Sequence, residues 1–183
     1  ITTDKIIRQV SDSLNDQGII ALATIPVYKK YKNPSQQSLY LDGISDPGNM
    51  GTILRTAAWF KIKSVFRSPK CVDPFNSKVV RSAMGAHFSM NIVSTKIDDY
   101  IKKLQSESFQ IIAADLDTDH SIENLKLNTD KWALVMGSEA HGLSKSVSNL
   151  INDKIKIPQI GKIESLNVSV ACGIFLYHIS GIK

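Results

Sequence analysis

The chain has 183 residues, 43% of them apolar, with 22 basic against 17 acidic side chains for a formal charge of +5. That size suits one compact domain with a substantial core and excludes a second full domain. No apolar run is long enough to span a bilayer, and Cys71 and Cys172 lie too far apart for zinc or disulfide-framework spacing, so a soluble cytoplasmic protein with reduced thiols is expected. The positive balance favours a polyanionic partner without requiring one.

In chain order, Ile1 to Pro26 reads as a short amphipathic helix and then a small apolar strand, Gly18 to Thr24. The first residue is not Met, which reads as an opening in mid-protein. Tyr28 to Gln37 (YKKYKNPSQQ) has the composition of a solvated connection. A boundary is placed here, with residues 1–37 as an extension or linker and 38–183 as the main domain.

From Ser38 onward, short apolar strands alternate with helical patterns. The strands are expected at Leu39 to Leu41, Ser64 to Phe66, Asn91 to Val93, Gln110 to Ala113, Trp132 to Met136 and Lys154 to Ile157. Helices are expected at Gly48 to Phe60, Asn76 to Met84, Ile97 to Glu107 and Leu166 to Ile179. This alternation predicts an α/β fold, a parallel sheet with flanking helices. The last helix is apolar nearly all round and is expected to be buried on most sides.

Three polar blocks each follow a strand. In the first, Leu41-Asp-Gly-Ile-Ser-Asp-Pro-Gly-Asn-Met-Gly-Thr-Ile-Leu-Arg, a tight turn enters a helix with Asn49 near its start and Arg55 about 9 Å further along the axis. Read by itself, Asn49 is equally a helix cap and Arg55 a surface charge. The second, Val135-Met-Gly-Ser-Glu-Ala-His-Gly-Leu-Ser, places Glu139 between two glycines at the carboxyl end of a strand, where open α/β sheets bind ligands. Alternatively, Glu139 is a solvated loop acid, and His141 reads as a plain exposed histidine. The third, Ile157-Pro-Gln-Ile-Gly-Lys-Ile-Glu-Ser-Leu-Asn-Val-Ser, brings a strand through a Pro/Gly loop into a helix. Ser165 is placed as its N-cap, and Asn167 offers an amide that both donates and accepts. Simple capping would explain this block as well.

Taken together and in this order, DPGNMGTILRTA, GSEAHGLS and IPQIGKIESLNVSVA resemble the three signature motifs of the SpoU (TrmH-like) branch of the SPOUT methyltransferases. The resemblance covers Ser38 to Ile179. Within the segment from Lys78 to Phe88, His87 stands where the family more usually has an aliphatic residue, and no function is attached to it. The resemblance implies that the C-terminal part of the sheet is threaded into a trefoil knot. It also implies a bound S-adenosylmethionine contacted near Ala114, Gly137, Ile157 and Leu166, mostly by backbone groups. It further implies a homodimer whose active sites borrow groups from both chains, and it makes 1–37 a possible remnant of an RNA-binding domain of ribosomal-protein L30e type.

The implied reaction is methyl transfer to a ribose 2'-hydroxyl of ribosomal or transfer RNA, ribosomal slightly favoured, with no metal. Arg55 matches the family's catalytic arginine, while Asn49, Glu139, Ser165 and Asn167 orient it and the ribose. Arg55 as the literal base stays open, because a guanidinium holds its proton. Two rivals remain: a knotted enzyme that methylates a base nitrogen, and a catalytically silent RNA-binding module. A dinucleotide-binding Rossmann enzyme is disfavoured, since no GxGxxG follows the first strand.

Overall fold

Strands that are apolar on both faces need cover on both faces, and the sheet has it. The computed structural model describes residues 3–11, 18–25, 36–139, 141–151 and 153–181. After α1 (Asp4–Val10), the chain runs β1 (Gln37–Leu41), α2 (Pro47–Trp59), β2 (Ser64–Arg67), α3 (Ser77–Ala83), β3 (Asn91–Ser94), α4 (Ile97–Ser106) and β4 (Gln110–Ala114). It continues through β5 (Trp132–Met136), α5 (Lys145–Ser148), β6 (Asp153–Ile155) and α6 (Val168–Ile179). The six strands form one sheet in the order β3-β2-β1-β5-β4-β6, and every pairing is parallel.

Side chains alternate across a strand, so Leu39 and Leu41 of β1 join Trp132, Leu134 and Met136 of β5 on one face. Tyr40, Ala133 and Val135 point to the other. The first face is covered by α2, α3 and α6 through Ile53, Leu54, Val79, Cys172 and Leu176. The second is covered by Ile97, Tyr100, Ile101 and Leu104 of α4 together with Val147 of α5. Burying one such aliphatic side chain stabilises the fold by about 1.5–3 kcal/mol, so both layers depend on strands that carry apolar side chains on both faces.

Most of the expected elements are present with small shifts in their ends. Lys154 to Ile157 becomes Asp153–Ile155, because beyond Ile155 only an isolated bridge between Ser121 and Lys156 continues the pairing. The segment 18–25 is not a strand. Ile19 and Leu22 there are 82% and 103% exposed, and the residues join no ladder, without which a strand leaves its backbone groups unpaired. Most of the solvated connection, 26–35, lies outside the described residues.

As expected, α6 is covered on most sides, with Val168, Ser169, Cys172, Phe175, Leu176 and Ile179 buried, but one side stays open. Val170, Ile174 and Tyr177 are 52%, 38% and 60% exposed, a stripe at helical spacing over which no described residue packs. His87 packs its ring 5.4 Å from that of Phe75, and its Nε2 lies 2.7 Å from the Pro74 carbonyl oxygen, a structural placement away from the polar loops. Among the described residues no helix is long and apolar enough to cross a membrane, and no cluster of three or more potential metal ligands occurs.

Candidate active site

The chain leaves β1 toward β2 and β3 on one side, then crosses to build β4, β5 and β6 on the other. Such a reversal opens a crevice at the carboxyl ends of the strands. Here the loops after β4, β5 and β6 enclose a cleft of about 560 Å³, within the range of small-molecule and cofactor sites.

Each loop is held by a specific contact. Following β1, the buried Asp42 carboxylate accepts a hydrogen bond from Ser144 N at 3.0 Å, which ties the first polar block to the end of the second. In the loop after β5, Ser138 and Gly142 exchange both backbone hydrogen bonds at 2.9 Å. A Cβ on Gly137 would collide with the Gly142 backbone, so this position admits glycine only. Lys154 fixes the loop after β4 by pairing with Asp115 at 3.4 Å while donating to Ser148 Oγ at 2.6 Å. Beyond β6, Gln159 Nε2 donates to the Gly161 and Ile163 carbonyls, both at 2.9 Å, and curls that segment over the cleft.

The three blocks meet at the mouth. Asn167 Nδ2 donates to Asn49 Oδ1 at 3.0 Å, and Asn49 Nδ2 donates to Glu139 Oε1. Residues 49, 139 and 167 come from three separate loops and close one seam. Ala114, Gly137, Ile157 and Leu166 all line the cleft, together with Glu139, Ser165 and Asn167. Asn49 is outside the lining and is tied to it through Glu139 and Asn167. Arg55 is exposed on α2, outside the lining, with no hydrogen bond or ion pair to a described residue.

Two helix caps differ from the expectation. Ser165 is not the cap of α6; Asn167 is, because its Oδ1 reaches Ser169 N at 3.0 Å and Val170 N at 3.4 Å. Asn49 caps nothing either, since Asp46 accepts from Asn49 N at 2.8 Å and Pro47 opens α2. His141 is exposed, as expected. The sequence reading missed Asp115, Leu116, Asp117, Gln159 and Phe175 in the lining and Asp42 beneath it. For Asp115 to Asp117 a signal existed, because they follow a parallel strand at the same end as the other blocks.

The SpoU rRNA methylase family model matches residues 36–177. The chain belongs to this family. Among its relatives is the 23S rRNA (guanosine(2553)-2'-O)-methyltransferase RlmP of Bacillus subtilis, 30% identical over 94% of this chain and 68% of that protein. The 23S rRNA (guanosine-2'-O-)-methyltransferase RlmB of Coxiella burnetii is 34% identical over 93% of this chain and 68% of that protein. An AdoMet-bound rRNA methyltransferase from Sinorhizobium meliloti superposes with a TM-score of 0.74 at 29% identity, covering 80% of this chain and 56% of that one. The chain thus spans about two thirds of the curated relatives' length and little over half of the solved structure's.

Proposed function

We propose that the chain carries out S-adenosylmethionine-dependent methyl transfer to a ribose 2'-hydroxyl of RNA, ribosomal RNA in the first instance. The observation that carries this is the seam Asn167, Asn49, Glu139 at the mouth of a cleft lined by Ala114, Gly137, Ile157 and Leu166. Family membership and relatives named for 23S rRNA 2'-O-methylation support the substrate. In this reading residues 38–183 are the catalytic domain and 1–37 its extension.

The cleft fits the cofactor on its own terms. Its volume suits a nucleoside-sized ligand, and its lining combines apolar Ile157, Leu166 and Phe175 with polar Glu139, Ser165 and Asn167. The cofactor supplies an electrophilic sulfonium methyl group. The protein's share is to place the ribose hydroxyl in line with that methyl and to ease loss of its proton. Positioning alone is worth several kcal/mol of barrier, about 7–11 in favourable intramolecular cases. A guanidinium donates and does not accept, so the role given to Arg55 is to stabilise charge developing on the hydroxyl oxygen and on the adjacent phosphate, which takes the proton. Asn49, Glu139, Ser165 and Asn167 orient Arg55 and the sugar.

Arg55 stands outside its own chain's cleft, which supports a homodimer in which α2 of one protomer serves the cleft of the other. The uncovered stripe Val170, Ile174, Tyr177 on α6 is the matching apolar surface. A C-terminal trefoil knot belongs to the same proposal. It is supported by the return of the chain from edge strand β6 to seat α6 beside α2, where Gly173 faces Thr56. Incubation with labelled S-adenosylmethionine and either ribosomal or transfer RNA, then digestion to nucleosides, tests the assignment. A 2'-O-methylnucleoside is expected, whereas a base-methylated product or no transfer at all would overturn it.

A further inference from the structure

Donor and acceptor chemistry fixes the direction of the seam, whichever way each amide is drawn. Ser169 N and Val170 N can only donate, so the Asn167 atom facing them at 3.0 and 3.4 Å must be oxygen. The nitrogen of Asn167 therefore faces Asn49. Only an oxygen can receive it, which leaves the nitrogen of Asn49 to donate to Glu139. With Asn167 Oδ1 committed as acceptor, the Ser169 hydroxyl 2.6 Å away must donate to it. Ser169 itself is buried, 9% exposed.

We propose that Ser169 is a positioning residue of the active centre, whose hydroxyl joins two backbone donors in anchoring a one-way relay through Asn167 and Asn49 that holds Glu139 as an acceptor at the cleft mouth. The Ser169 hydroxyl and the two backbone donors share one acceptor oxygen, so Asn167 cannot flip without leaving both backbone N–H groups unpaired and losing the hydroxyl's present bond. Each later member inherits its orientation from the one before. Catalytic importance of the relay rests on the methyl-transfer reading, but its direction is a property of the folded chain.

The relay is tested by reversing it. Asn167→Asp keeps the cap, because aspartate caps helices as well as asparagine, yet presents an acceptor to Asn49. The Asn49 amide then turns, setting its oxygen against the Glu139 carboxylate. Glu139→Gln supplies the missing donor. We expect Asn167→Asp to weaken S-adenosylhomocysteine binding about tenfold, measured by calorimetry, with Glu139→Gln measured by itself to give the effect of that substitution alone. The double variant should return to within about threefold of wild type, and the rescue should vanish in an Asn49→Ala background.

Additive effects of the two substitutions, or rescue that survives without Asn49, would overturn the relay. Ser169→Ala gives a milder second test: kcat for methyl transfer should fall about two- to tenfold, the scale of one lost hydrogen bond. The KM for RNA should hold and Ser169→Thr should restore the rate, while an unchanged kcat would remove Ser169 from the relay. If wild-type protein transfers no methyl group but the binding effects of 167 and 139 remain coupled, the functional reading fails and the relay stands.

Discussion

Arg55 lies six residues after Asn49, under two helical turns, but the two face different tasks. Asn49 is locked into the seam, while Arg55 projects from α2 with its guanidinium uncommitted to any described residue. Arg55→Ala should therefore lower kcat for methyl transfer about a hundredfold or more, the scale of removing one donor to a developing oxyanion. S-adenosylhomocysteine affinity should stay within about threefold, because Arg55 does not line the cleft. Equal loss of both in a folded variant would contradict the role assigned to it.

Cys172 makes the opposite case, a reactive group silenced by its surroundings. It is fully buried on α6, and desolvation pushes its thiol pKa up to about 12 from 9.0. The folded state holds that proton more tightly than the unfolded state does. Its stabilising contribution is therefore complete below about pH 9 and lost as pH rises from 9 toward 12. The stability gap between wild type and Cys172→Ala, about 1 kcal/mol in size, should narrow between pH 8 and pH 10.5 in urea melts. A constant gap would mean that the thiol is not held protonated.

At the scale of elements, the loop after β5 depends on the near contact of Gly137 with the Gly142 backbone. Gly137→Ala forces the two strands of this loop apart at a cost of about 1–3 kcal/mol. Melting temperature should fall, and S-adenosylhomocysteine affinity with it. Gly161→Ala, whose Cβ would meet open space, should leave the melting temperature where it was. Equal shifts for the two variants would show that loop crowding is not what Gly137 relieves.

The elements also show what a sequence discloses. β1, β4 and β5 are legible because a strand covered on both faces carries an unbroken apolar run, here Leu39 to Leu41, Ile111 to Ala114 and Trp132 to Met136, and α2 because Asp-Pro-Gly announces its entry. Gly18 to Thr24 has the same apolar texture and yet forms no strand, because pairing partners are a tertiary fact that composition does not carry. The start of α6 was misplaced by two residues, since Ser165 and Asn167 are both good caps and only three-dimensional reach selects between them. Glu139, Asn49 and Asn167 were readable as polar residues in strand-end loops. Asp115 to Asp117 carry only the signal of following a parallel strand, and Gln159 carries none, because loops have no periodicity to betray which way they face.

At the scale of the whole molecule, the surface that matters is the one α6 leaves open. α6 is buried round most of its circumference, and Val170, Ile174 and Tyr177 are the apolar residues it turns outward. Along the flank next to this stripe α6 meets α2, where a Cβ on Gly173 would lie 3.7 Å from Thr56 Cγ2, so the open stripe adjoins the helix that bears Arg55. A two-fold interface is self-complementary, and one apolar stripe per chain satisfies it. Pairing along this stripe would carry Arg55 toward the neighbouring cleft.

Ile174→Asp puts a charge in the middle of the stripe, where pairing would desolvate it, and desolvating an unpaired charge is costly enough to dissociate a modest interface. Sedimentation velocity should then show dimer for wild type and monomer for the variant. Ile174 is 38% exposed in the single chain, so each monomer should remain folded. Because each cleft would lose its partner's Arg55 but keep its own lining, methyl transfer should collapse while S-adenosylhomocysteine binding persists, as for Arg55→Ala. Mixing Arg55→Ala protein with a variant inactive at Glu139 sharpens the point, since shared sites restore part of the activity through the heterodimer. A fully active monomer would confine each site to a single chain.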